Sequence, residues 1–452
     1  MEKKERYALC PMPYAIIKEE YMRKLSGRAK WPVMIIMVVF LMMPVAALAA
    51  IDGVSGGPFN LTAAAGHIST PDGNSIYMWG YGLNGAMQYP GPTLIVNQGA
   101  SVTVNLTNSL SVPVSIVFPG QSNVSAIGGV SGLLAQEAPP NGGTVTYTFT
   151  ASQPGTYIYY SGSQPELQIE MGLVGALIVR PSSSPATQAY NHVDSQFNRE
   201  YLFLLSEMDP IIHENVEAGM MDLVDFTKYF PVYWFINGRA APDTMAAADN
   251  PLLPTQPYNC MPMMHPGERV LMRMIGAGRD MHPFHTHGNH HKIIARDGRL
   301  LSSGTGADLA EMAFTTTVVP GSTSDAIFTW TGDKLGWDLY GHTGPNGEIG
   351  AACTAAGVPM EPGEYEADHC KPFPVILPGQ LELTFGQFYS GSPFLGALGS
   401  LPPGEGGFNP TGGFFFMWHS HAEKEITNFD IFPGGMLTMM LVEHPNVMFM
   451  NP

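Results

Sequence analysis

The chain is short of cysteine, of basic residues and of charge in general. Four cysteines occur in 452 residues and no Cys-x-x-Cys spacing exists, so a zinc ribbon or thioredoxin-type dithiol has no support. Lys and Arg number 21 against 38 Asp and Glu, for a formal net charge of -17. That balance argues strongly against a nucleic-acid partner and would repel anionic lipid. It is compatible with cation binding, though acidity alone usually means solubility. No strong amphipathic helix and no short-period repeat is evident. The 51 Gly and 39 Pro are too much punctuation for a long-helix or coiled-coil protein. Apolar material is not lacking: hydrophobic residues make up 45%, enough to bury a core.

The charge is uneven. Residues 1–50 hold eight basic and four acidic residues, so the rest of the chain is more acidic than the total suggests. Residues 33–50 carry no charge, follow Arg23, Lys24, Arg28 and Lys30, and end in the small-x-small run Ala47-Leu48-Ala49. This reads as an export signal cut near Ala49 or Ala50, delivering a periplasmic or extracellular protein. An uncleaved anchor is the competing reading, and the only one that puts the chain on a membrane. Cys10 precedes the cut. Cys353 and Cys370 bracket a loop and suit a disulfide in an exported protein, which leaves Cys260 as the odd one.

Beyond residue 50 the chain reads as all-β. Strands are expected at 93–106 (two, across a Gly turn), 144–150, 156–160 and 173–179. A second series covers 201–209, 232–237, 269–275, 290–296, 324–330, 376–385 and 436–442. Between the series, 181–197 is polar and carries Pro and Ser. The expected division is 51–182 for a first domain, 183–197 for a linker and 198–452 for a second. Residues 331–372 form a Gly/Pro-rich insertion in the second domain.

The fourteen histidines are clustered. Residues 282–291 (HPFHTHGNHH) hold five, and His419 and His421 form a second His-x-His. On a strand, residues i and i+2 point to one face, so His285 can converge with His287, and His419 with His421. Imidazole suits copper, zinc, iron and nickel. His290 or His291 reads as a strand side chain, and His342 and His369 as peripheral. The 28 methionines include 261–264 (MPMM) and 436–440 (MLTMM). Thioether sulfur suits Cu(I), but Met436 and Met440 read better as core filling.

The chain resembles the multicopper oxidases over nearly all of its exported part. Residues 89–108 (YPGPTLIVNQGASVTVNLTN) and 155–179 (GTYIYYSGSQPELQIEMGLVGALIV) resemble the family's first domain. Residues 235–244 (FINGRAAPDT), 266–288 with an intact HPxHxHG, and 418–440 (WHSHAEKEITNFDIFPGGMLTMM) resemble its last domain. The resemblance implies tandem cupredoxin-like Greek-key β-sandwiches. It is to the two-domain, laccase-like branch, in which copper clusters form between subunits of a trimer.

The departures from the family pattern decide what the chain can do. Eight histidines hold the family's trinuclear cluster. By the resemblance, His285, His287, His419 and His421 supply the last domain's four. Val117 and Pro119, and Tyr160 and Gly162, stand where the first domain's pairs belong. His282 matches one ligand of the blue copper centre, but Ser420 replaces the bridging cysteine and Glu425 the second imidazole. A serine hydroxyl is hard and protonated and cannot replace a thiolate. Ordinary laccase activity and a blue band are therefore not expected.

The resulting expectation is an exported copper-binding protein with a reduced His-rich site. Its metal residues are His282, His285, His287, His419, His421 and Glu425, with copper, or alternatively zinc, as the ion. Oxidoreductase chemistry follows from the resemblance alone. The alternative is a non-catalytic periplasmic or cell-surface subunit. That subunit sequesters copper or partners an intact oxidase, as a homotrimer or with a paralogous oxidase subunit.

Overall fold

The computed structural model describes residues 51–83, 85–182, 187–302, 308–330, 414–443 and 449. The expected export segment, the expected insertion at 331–372, the expected strand at 376–385, and Cys10, Cys353, Cys370, His342 and His369 lie outside the described residues.

Strict alternation builds the first sandwich. In Ser101–Asn108 the inward residues are Val102, Val104 and Leu106, and in Gly143–Thr150 they are Val145, Tyr147 and Phe149. The two strands pair antiparallel with Val104 opposite Tyr147 and Leu106 opposite Val145, so apolar neighbours meet across the ladder. These strands sit within a five-stranded sheet ordered Ser75–Leu83, Phe59–Ser69, Ser101–Asn108, Gly143–Thr150, Ser125–Gly128. A four-stranded sheet ordered Val54–Ser55, Gly91–Asn97, Val174–Arg180, Gly155–Tyr160 closes over it. The chain crosses repeatedly between these two sheets, as in a Greek key. Phe59–Ser69 and Ser75–Leu83 were not expected from the sequence: Ala, Gly and Thr blur their alternation.

The second sandwich has two larger sheets. One runs Tyr233–Ile236, Arg199–Met208, Arg269–Gly276, Thr323–Thr329, His291–Arg296, Arg299–Leu300, with Glu311–Ala313 also on His291–Arg296. The other runs Met263–Met264, Leu437–Val442, Phe414–Ser420, His282–Thr286, Thr315–Val318. Between them lie Phe203, Met272, Phe284, Phe328 and Trp418. Met436 and Met440 are buried in the same core, as the core-filling reading expects. Met263, Met264 and Cys260 are buried too, the thiol donating to Leu202 O at 3.5 Å.

The sandwiches join through sheets buried on both faces. Val174–Arg180 and Arg199–Met208 are therefore almost continuously buried rather than alternating. Ile158, Val174, Ala176 and Ile178 of the first pack with Leu202, Leu204, Phe235 and Ile275 of the second. Beside this seam lies a buried ionic network. Arg180 forks onto Glu200, and Arg273 reaches Glu200 at 3.0 Å and Asp325 at 3.7 Å. Thr156 and Tyr190 each donate to Asp325 at 2.6 Å. The segment read as a polar linker is thus partly packed, with Tyr190 and Phe197 buried. One eight-residue helix, Pro210–Glu217, follows the N-cap Asp209 and turns Ile212, His213 and Val216 inward.

Candidate functional site

Strand parity divides the histidines between two faces of one sheet. In His282–Thr286 the burial alternates, with His282, Phe284 and Thr286 inward and His285 on the other face. This strand pairs with Phe414–Ser420 so that His285 faces His419 and Phe284 faces Ser420. His285, His287 and His419 therefore share the outer face. Ser420 shares the inner face with His282.

On the outer face the imidazoles converge. One ring nitrogen from each of His285, His287 and His419 lies within 4.8 Å of the others. His287 Nε2 and His419 Nε2 are 3.1 Å apart. His285 also packs against His421, with ring centroids 4.9 Å apart. His421 sits at the rim, about half exposed, with Nδ1 3.6 Å from Glu423. The rings are held from behind. His419 Nδ1–H donates to Ser420 O at 2.6 Å, and His285 Nδ1 meets Thr315 Oγ1 at 2.8 Å. The first of these bonds puts the proton of a neutral ring on Nδ1 and makes Nε2 the lone-pair nitrogen. Burial, reinforced by the neighbouring imidazoles, pushes His287 down to about 3. Burial also takes His419 down to about 4 and lowers His285. All three are thus neutral near pH 7, the protonation state a metal ligand needs.

The inner face is a separate, closed unit. His282 Nε2 lies 2.9 Å from Glu207 Oε2 and its Nδ1 2.9 Å from Glu425 Oε2. Ser420 Oγ donates to the same Glu425 oxygen at 2.5 Å. Glu207 Oε1 accepts the amides of Arg279 and Asp280 and the Tyr229 hydroxyl. Burial alone would disfavour a charged ring, but the two carboxylates outweigh it and lift His282 to about 9. Burial likewise opposes the Glu207 charge, and its bond to His282 outweighs that, lowering its pKa. Glu207 was missed from sequence. Its signal was an acid at the end of the apolar run YLFLLSEM.

Of the six expected metal residues, the structure gathers His285, His287 and His419, with His421 beside them. It places His282 and Glu425 against each other on the opposite face. His291 is a buried strand residue bonded to Thr286 and Thr316. In the first sandwich Val117 and Tyr160 do pair across a bridge, and Gly162 packs against Val117. Their surroundings are hydroxyls and an acid: Ser163 Oγ bonds Ser115 Oγ and Glu137. His67 is the single histidine between 51 and 182, and it pairs with Glu217 at 2.9 Å.

Comparison with known proteins bears on the family and the fold. The multicopper oxidase family profile matches residues 63–184. An iron transport multicopper oxidase of Epichloe festucae is 38% identical over 110 residues, 23% of this chain and 16% of that protein. Copper resistance protein A of Escherichia coli is 27% identical over 287 residues, 56% of this chain and 45% of that protein. The chain thus spans less than half the length of either. The structure is similar to a blue copper oxidase from Nitrosomonas europaea, with TM-score 0.53 at 19% identity over 85% of each chain. That likeness concerns the fold alone: tandem cupredoxin-like β-sandwiches.

Proposed function

We propose that the chain is an exported, multicopper-oxidase-like copper-binding protein with a reduced His-rich site. The observation that carries this reading is the outer-face cluster, with nitrogens of His285, His287 and His419 within 4.8 Å. The donor set fits copper: three neutral imidazoles, two with their far nitrogens anchored. Copper rather than zinc is the ion the family relationship favours. His285, His287 and His419 would hold it, with His421 available at the rim. Bound copper would supply one-electron chemistry. The chain's own part is to keep the rings neutral, to orient them through Thr315 and the Ser420 carbonyl, and to shield one side with Phe314, 5.8 Å from His285.

The inner face does not fit a blue copper centre. Both His282 nitrogens and the Ser420 hydroxyl are engaged by Glu207 and Glu425. No thiolate stands in the set, since Cys260 lies in the core and bonds Leu202. Ordinary laccase turnover is accordingly no part of this reading.

A second reading, a non-catalytic subunit partnering an intact oxidase, has its own support. Val117, Pro119, Tyr160 and Gly162 themselves carry no imidazole. A homotrimer would repeat that deficit, whereas a paralogous subunit with first-domain histidines would supply the missing half. Beside the cluster, Phe314 is exposed.

Elemental analysis after copper or zinc loading tests the site, with His285→Ala/His419→Ala as control. About one copper per chain, lost in the double variant, is expected from the ligand set. Equal metal in both proteins would rule the cluster out. Copper that appears only in co-purified complexes with a paralogue would favour the second reading.

A further inference from the structure

A second cavity lies elsewhere in the second sandwich and owes nothing to the histidine cluster. It encloses about 520 Å³ between the helix Pro210–Glu217, the strand Tyr233–Ile236 and the turn Glu423–Ile426. Its walls include the buried Trp234, with Ile211, Leu223, Phe230 and Phe429 around the mouth. Those four are 59%, 65%, 63% and 55% exposed, a concentration of uncovered apolar surface that usually marks a binding site.

The charged groups at this cavity are unequal. Asp209 spends both oxygens on backbone, accepting Ile211 N at 3.0 Å and Phe230 N at 2.9 Å. Asp225 accepts from Thr227 and pairs with Lys228 at 3.1 Å. Lys424 differs. Its ammonium stands 3.8 Å from the Phe230 ring centre and 5.3 Å from that of Trp234. Among the described residues it has no carboxylate within ion-pair distance. Aromatic faces steady this cation without neutralising it. Asp430, exposed at the rim, would disfavour a second negative charge on any occupant.

We propose that this cavity binds a planar aromatic monocarboxylate, its ring against Trp234 and Phe429 and its carboxylate on Lys424. The mouth is fixed before binding, because Phe429 N–H donates to Val232 O at 3.0 Å and Asp209 holds Phe230. Little ordering is then required when the ligand enters.

Isothermal titration of the metal-free protein with 1-naphthoate, and with neutral 1-naphthylmethanol, tests this. Wild type should bind naphthoate more tightly than the alcohol. Lys424→Met, which keeps the apolar stem, should weaken naphthoate about tenfold and leave the alcohol unchanged. Phe429→Ala should weaken both, and matched thermal midpoints would show the variants folded. His287→Ala/His419→Ala should bind naphthoate like wild type; a loss there would mean the probe reads the histidines and would overturn the proposal. Equal affinity of wild type and Lys424→Met would overturn it as well. So would absence of binding combined with concentration-dependent self-association abolished by Ile211→Asp, which would make the surface a contact between copies.

Discussion

His282 and Glu425 meet at 2.9 Å in the interior of the second sandwich, and Glu207 holds the other side of the same ring at 2.9 Å. An imidazolium clamped between two carboxylates occupies the place where family resemblance puts a blue copper ion. The protonated ring offsets one of the two carboxylate charges there.

That proton sets a pH dependence. His282 is lifted to about 9, so its stabilisation is complete below the unfolded value and disappears as pH rises through the folded one. Thermal unfolding should show stability falling from about pH 6.5 to about 9, by roughly 3 kcal/mol in all. His282→Gln should flatten that slope. An unchanged slope in the variant would mean the ring is not the titrating group.

Removing one carboxylate should expose the cost of the arrangement. Glu207→Gln leaves a buried imidazolium with one partner fewer and should destabilise by about 3 kcal/mol. Denaturant unfolding at pH 7 checks this; a loss within experimental error would show that the ring simply deprotonates.

Restoring the missing sulfur alone should not restore colour. In Ser420→Cys, Glu425 and Glu207 still hold His282, and among the described residues no second imidazole bonds to this group. Absorption spectra after Cu(II) addition should lack an intense visible charge-transfer band. Such a band would show that the carboxylates yield to copper.

Copper should stabilise the folded chain through the outer face. Binding to the native state alone raises the unfolding midpoint by mass action. Wild type should gain several degrees with excess copper, on the order of 2–3 kcal/mol, and His287→Ala/His419→Ala should gain little. Because protons compete weakly for rings lowered to about 3 and about 4, the gain should persist to mildly acidic pH.

The seam between the sandwiches should be sensitive to Arg273. Its guanidinium is fully buried and touches Glu200, Asp325 and Thr156. Arg273→Met strands two buried acids and should cost about 3–5 kcal/mol, read by denaturant unfolding. A cost below about 1 kcal/mol would show that Arg180, Thr156 and Tyr190 suffice for those acids.

The sequence by itself determined much of this protein. Alternation in Ser101–Asn108 and Gly143–Thr150, and apolar runs such as Val174–Arg180, marked strands because side-chain period and burial are local properties. Spacing in HPFHTHG and HSH was enough to pair His285 with His287 and to bring in His419, since two-residue periodicity decides facing. The strands Phe59–Ser69 and Ser75–Leu83 were invisible because Ala and Gly carry little pattern. Only the tertiary structure decided the rest. Cross-strand register gives His419 to the face of His285 and Ser420 to the face of His282. Glu207 reaches His282 from 75 residues away, and Lys424 meets Phe230 and Trp234 from nearly two hundred. Contacts at such separations arise from sheet order and packing, which no local pattern in a chain encodes.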